Sequence, residues 1–156
     1  MSTPARIFDH PIHPMLIPFP IGLWVFSLVA DVVFRMTGDP TWPPIAFWTM
    51  VGGTIGALMA AVPGLLDFLS IRERRAVRLA TIHMVLNLTI VAMFAINIAL
   101  RMGNYAGGLP MFLSAVAVGL LLVSGWLGWE LIYREGVALS PRIDVRVRDS
   151  ERRGAA

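Results

Sequence analysis

The sequence predicts an all-α integral membrane protein, a four-transmembrane-helix up-down bundle. Three observations carry that prediction. Of the 156 residues, 56% are hydrophobic and only 15% are charged, against about 45–50% and about 25% in an average soluble domain. Mean hydropathy is +0.70, and a soluble domain of this size has no interior large enough to hide so much apolar surface. Four stretches almost free of charge each meet the roughly 20 residues that a spanning helix needs. Hydrophobicity this high excludes disorder. The absence of Cys excludes a disulfide scaffold and any Cys-ligated metal centre.

The first stretch runs from Met15 to Phe34 and is broken only by Asp31. It follows the segment His10-Pro11-Ile12-His13-Pro14-Met15-Leu16-Ile17-Pro18-Phe19-Pro20. Each Pro biases the residue before it away from the helical region, and a helix tolerates Pro well only in its first turn. The chain is therefore expected to approach extended and to turn helical around Pro18 to Pro20. That makes residues 1–14 a stiff strap holding His10 and His13 across one mouth of the bundle. No small-x-small cleavage pattern follows, so the stretch reads as a retained helix. On it Trp24, Ser27, Asp31 and Arg35 share a face, and the four-residue spacing of Asp31 and Arg35 predicts an ion pair at the membrane boundary.

The second stretch, Ile45–Leu66, has no charge. Pro63 should kink it. Gly52, Gly56, Ala60 and Gly64 recur every fourth residue, and small residues so spaced let backbones approach closely, within the bundle, in a homodimer or against a membrane partner. The third, Leu79–Leu100, is polar only at His83, Asn87, Asn97 and a few Thr. At about 100° per residue, His83, Asn87, Phe94, Asn97 and Arg101 fall within about 40° of one line, a polar interior stripe with Asp31 facing the same interior. The fourth, Leu109–Trp129, is uncharged. Trp24, Trp42, Trp48, Trp126 and Trp129 lie mostly near span ends, where Trp anchors at the interface. The links are short, which favours antiparallel neighbours. Residues 15–133 thus form the membrane domain and 134–156 an Arg-rich tail. No internal repeat is visible, and four helices leave little room for a gated path, which argues against a transporter.

All 13 basic residues are Arg, for a net charge of +3 and a pI near 10.5. Eleven lie at the N-terminus, in the link that carries Arg72, Arg74, Arg75 and Arg78, or after Tyr133; only Arg35 and Arg101 lie on the other side. The positive-inside bias places both termini and the second link in the cytoplasm, with the bacterial inner membrane as the location. It accounts for the basicity without nucleic acid, and no aromatic–basic module is present.

At the cytoplasmic end His10, His13, Asp67, His83 and Glu130 gather. Neutral imidazole binds haem iron, zinc or copper, and carries protons near neutral pH. Three readings stay open. A b-type haem could sit between His13 (or His10) and His83, in a pocket lined by Phe19 and Trp126. A metal or proton site could use His10, His13, His83, Asp67 and Glu130. In the plainest reading Asp67 and Glu130 pair with Arg72, Arg78 or Arg134, Asn87 and Asn97 bond between helices, and His83 is a satisfied interior residue.

The His-Pro-x-His-Pro start, the Pro-Phe-Pro-Ile-Gly-Leu-Trp run with a later Asp, the segment Pro63-Gly64-Leu65-Leu66-Asp67-Phe68-Leu69 and Thr81-Ile82-His83 resemble domain-of-unknown-function family 2231. These are small bacterial membrane proteins, and the likeness covers Asp9 to Tyr133. It implies four membrane helices. Because some relatives are joined to iron–sulfur or cytochrome domains, it also implies a tie to redox chemistry. No nucleophile elbow, P-loop or dinucleotide fingerprint is present, so the chain reads as an accessory subunit of a membrane complex, redox-linked, rather than an enzyme. The haem and metal or proton readings are its alternatives.

Overall fold

The computed structural model describes residues 6–7, 10–103, 105 and 108–135; of 6–7 and 10–11 it describes the backbone alone. Nearly all of the Arg-rich tail and the side chain of His10 lie outside the described residues. Among those described, α1 (Ile12–Leu16) and α2 (Pro18–Thr37) form the first span, followed by α3 (Trp42–Ser70), α4 (Arg74–Arg101) and α5 (Gly108–Tyr133). All four spans are long and apolar enough to cross a membrane. Before them, β1 (Arg6–Ile7) pairs antiparallel with β2 (His10–Pro11), with Ile7 opposite His10.

The helix begins earlier than the Pro pattern suggested. Pro14 falls in the first turn of α1, and Pro18 and Pro20 in the first turn of α2, where a missing N–H costs nothing. Main-chain bonds of 3.3 Å, from Ile17 N–H to the His13 carbonyl and from Ile21 N–H to the Ile17 carbonyl, carry the chain across the junction. His13 therefore rides on a helical turn rather than on an extended strap. At the far end of α2, Gly38 adopts φ 71° and returns its N–H to Phe34 at 2.8 Å. This is the left-handed C-cap that glycine adopts without steric cost. The Asp39 carboxylate then accepts the Thr41 N–H at 2.9 Å, which holds its carboxyl below the usual range. Glu73 caps α4 by accepting the Ala76 N–H at 2.9 Å.

Helix α2 packs mainly on α3, and α4 mainly on α5, so the bundle is two hairpins side by side. Between them lies a core of Trp24, Met50, Ile90, Phe94, Ala117 and Leu121. The outer surface carries large apolar side chains such as Phe26, Leu58, Val85 and Leu122, whereas Ser27, Asp31, Asn97, Arg101, Ser114 and Ser124 are buried. Apolar outside and polar inside is the arrangement that lipid imposes as solvent, and the chain is a multi-pass membrane protein. Trp24 departs from the expected interfacial role. It is 3% exposed and stacks on Phe94 at 4.4 Å between ring centroids.

The small-residue stripe of α3 is occupied from within the chain. A Cβ at Gly53 would lie 2.7 Å from Trp24, at Gly56 2.8 Å from Phe19, and at Gly64 2.7 Å from His13, while Gly52 faces Leu23. Gly52, Gly56, Ala60 and Gly64 therefore serve the close approach of α1 and α2. A second chain could use that face only by displacing them.

Candidate functional site

Polar groups gather at both ends of the bundle interior. At one end α4 finishes on Arg101, which is 0% exposed. Its guanidinium donates bidentately to Asp31 of α2, Nη1 to Oδ1 at 2.7 Å and Nη2 to Oδ2 at 2.6 Å. Nε donates to Asn97 Oδ1 at 2.9 Å, and Nη1 also reaches the Tyr105 carbonyl at 3.2 Å. The Asn97 amide in turn donates to the Pro110 carbonyl and to Ser114 Oγ, both at 2.8 Å. Every charged-group nitrogen and oxygen of the ion pair thus has a partner, which buried charge requires. Asp31 pairs with Arg101 rather than with Arg35. Arg35 is exposed, its guanidinium beside Gly108, because Asp31 faces the interior and Arg35 has turned out of it.

At the other end stand two imidazoles. His13 Nδ1 lies 2.7 Å from the Ala60 carbonyl of α3. His83 Nδ1 lies 3.0 Å from the Ser124 carbonyl of α5, with Ser124 Oγ 3.2 Å from the same nitrogen. A carbonyl only accepts, so each ring donates from Nδ1, and in its neutral form keeps the lone pair on Nε2. Glycine stands one turn beyond each acceptor. A Cβ at Gly64 would press His13 Cε1 at 2.7 Å, and one at Gly128 would meet His83 Cε1 at 3.2 Å.

The other predicted residues fall differently. Glu130 accepts from Arg134 at 2.9 Å, one helical turn away, and Arg75 pairs with Glu135 at 3.0 Å. Asp67 is buried near the end of α3. Asn87 donates within its own helix, to the His83 carbonyl at 2.7 Å, whereas Asn97 bonds between helices. Among the described residues no three of His, Asp or Glu come together as a metal-holding group. Phe19 and Trp126 are 62% and 66% exposed and face outward, so they line no pocket between the imidazoles. An apolar hollow of about 290 Å³ lies instead on the lipid side, against Leu16, Phe19, Gly52, Ile55, Gly56 and Met59.

These interior groups all lie within a segment, residues 9–141, that matches a single family model. The chain belongs to DUF2231, a family described as predicted membrane protein. Comparison with curated proteins and with solved structures finds no significant match.

The fold of this DUF2231 chain contains a repeat that its sequence hides. Asp31 and Arg101 are 70 residues apart. The same separation relates Trp24 to Phe94, His13 to His83, and Ser27 to Asn97. At one constant offset between α3 and α5, Ala46, Ala60 and Gly64 correspond to Pro110, Ser124 and Gly128. The bonds correspond as well. Ser27 Oγ donates to the Ala46 carbonyl at 2.7 Å, as Asn97 does to Pro110. His13 bonds Ala60 as His83 bonds Ser124. The two hairpins are thus related by a pseudo-twofold axis along the bundle, a parallel repeat. In a twofold arrangement a residue meets its own mate only at the axis. Trp24 stacks on Phe94 and Asp31 pairs with Arg101, so the axis runs through both pairs, and His13 and His83 take equivalent places about it. From His83 to Arg101 is about 27 Å at roughly 1.5 Å per residue, close to the ~30 Å hydrocarbon layer.

Proposed function

We propose that this DUF2231 protein is a non-enzymatic accessory subunit of a complex in the bacterial cytoplasmic membrane, and that its contribution is the imidazole pair His13 and His83 at the cytoplasmic mouth. The observation that carries this reading is the matched pair of Nδ1–H bonds to Ala60 and Ser124, which fixes both rings in one tautomer with Nε2 available. A metal-ligating histidine is oriented in the same way, by a carbonyl on its other nitrogen. The Asp31–Arg101 network is fully engaged in holding helices together, which leaves the imidazoles as the interior groups with unused capacity.

Sidedness rests on the Arg residues. Arg72, Arg74, Arg75 and Arg78 are exposed around the α3–α4 turn, while at the opposite end Arg101 is buried and only Arg35 is exposed. From the positive-inside bias we place the imidazole end and both termini in the cytoplasm, with the Arg-rich tail of 134–156 against anionic headgroups.

A b-type haem on the two imidazoles is the second reading, favoured by the donor set alone. The packing favours something smaller. Pro20 and Ile90 are buried two turns inward of the rings, and Ala76, Ala80 and Leu131 form a buried cluster on the mouth side. Purification from native membranes in mild detergent, followed by a native gel and a reduced-minus-oxidised spectrum, tests both. The accessory reading expects migration with other membrane proteins and no haem bands. Migration alone at the chain's own 17.1 kDa contradicts it, and one haem per chain replaces it with the second reading.

A further inference from the structure

We infer that His13 and His83 form a binding site for one late transition-metal cation on the pseudo-twofold axis, ligated by the two Nε2 atoms. The inference rests on the reading of the imidazole pair as the functional centre, and it names the ligand of that centre. It follows from what mates on an axis can do for each other. At the Arg101 end the mates are complementary, an acid and a base, and each satisfies the other. At the histidine end the mates are identical. Neutral imidazoles that donate from Nδ1 to the Ala60 and Ser124 carbonyls offer each other two acceptors and no donor. Neither can satisfy its mate, whereas a cation between them satisfies both at once.

The chemistry of the donors selects the class of ion. Imidazole nitrogen suits zinc, copper, nickel and iron, while magnesium and calcium require oxygen ligands. The chain has no Cys, and among the described residues no third His, Asp or Glu joins the pair in a metal-holding group. The described residues therefore supply two nitrogen ligands, with water or a small exchangeable ligand completing the coordination sphere. Each ring already has the outer bond that orients a metal-binding imidazole. Gly64 and Gly128, equivalent in the repeat, keep Cβ atoms away from the ring edges that carry Cε1.

The test uses the full chain in detergent, stripped with chelator and titrated with Cu²⁺, the strongest probe of a nitrogen site in the divalent series. The expected result is one Cu²⁺ per chain, an electron paramagnetic resonance spectrum showing two equivalent imidazole nitrogens, and displacement by excess Zn²⁺. His13→Asn and His83→Asn are the informative variants, because the Asn amide keeps a δ-position N–H for the carbonyl and lacks Nε2. Each is expected to stay folded and to weaken binding by about tenfold or more, to a similar degree. His10→Ala is expected to leave binding unchanged. Absence of one-to-one binding, survival of binding in either Asn variant, or dependence on His10 as strong as on the other two overturns the inference. Co-purification with membrane partners is scored on the same preparations. Partners retained without metal binding sinks this inference alone; partners absent from the wild type sinks the accessory reading whatever the metal does.

Discussion

The two ends of one axis are built from the same geometry and opposite chemistry. At one end Asp31 and Arg101 occupy equivalent places in the two hairpins and close on each other bidentately, with Asn97, Ser114 and the Tyr105 carbonyl taking up further bonds. At the other end His13 and His83 are equivalent and alike, and each turns to a main-chain carbonyl instead. The difference teaches where a duplicated membrane bundle keeps capacity for function. Complementary mates cancel, and the axis there is structural. Identical mates cannot cancel, and they are left facing a third party. Trp24 and Phe94 stack between the two ends and separate them with an apolar layer.

The largest effects should come from breaking the complementary end. Arg101→Met leaves the Asp31 carboxylate buried without its cation and should cost about 3–5 kcal/mol, read as lost folded fraction in detergent titrations. The double exchange Asp31→Arg with Arg101→Asp sharpens the comparison. If the positions are equivalent across an axis, it should recover much of what either single reversal loses; a double variant as unstable as the sum of the singles breaks the equivalence.

The middle layer comes next. Trp24 is the larger ring and faces Gly53, while its mate Phe94 shares a core with Ala117, the mate of Gly53. Gly53→Ala alone forces a Cβ to 2.7 Å from the indole and should cost about 1–3 kcal/mol by overpacking. Trp24→Phe with Gly53→Ala copies the second hairpin into the first. Its cost in thermal unfolding should fall below the sum of the singles, and strict additivity would contradict the match.

The smallest stability effects belong to the histidine end. Gly64→Ala should destabilise more than Gly128→Ala, following Cβ approaches of 2.7 and 3.2 Å to the two rings, and equal or inverted melting shifts would count against the geometry. His13→Asn and His83→Asn should each change stability by less than about 1 kcal/mol, because the bond to the carbonyl is kept. A large loss in either would mean that the ring is needed for packing and not for its free nitrogen.

Much of this was legible in the residues. Four charge-poor stretches announced the spans, and the helical period put Asn97 and Arg101 on one line of α4. The fourfold spacing of Gly52, Gly56, Ala60 and Gly64 signalled close helix approach, although it could not say that the occupant was the chain's own N-terminal helices. The partner of Asp31 was misread because Arg35 is its nearest base along the helix, whereas the pairing that forms lies across the bundle. Ser124 and Gly128 gave no signal, since a carbonyl acceptor and the room beside it belong to backbone and space. The duplication was hidden for a chemical reason. Its mates keep their places and change their types: Asp against Arg, Trp against Phe, Ser against Asn, Gly against Ala. Between the two hairpins, the Ile-His pairs at Ile12-His13 and Ile82-His83 and the matched Gly64 and Gly128 are the plainest identities, too few to show as a repeat without the fold.

The central claim is that the identical mates hold unused nitrogen lone pairs, and nitrogen resonance reads it directly. The chain has three histidines, so ¹⁵N-histidine labelling of metal-free protein in bilayers at neutral pH gives few signals, assigned by the Asn variants. Both His13 and His83 should appear as neutral rings protonated on Nδ1 with bare Nε2. A proton on Nε2 of either ring would contradict the account.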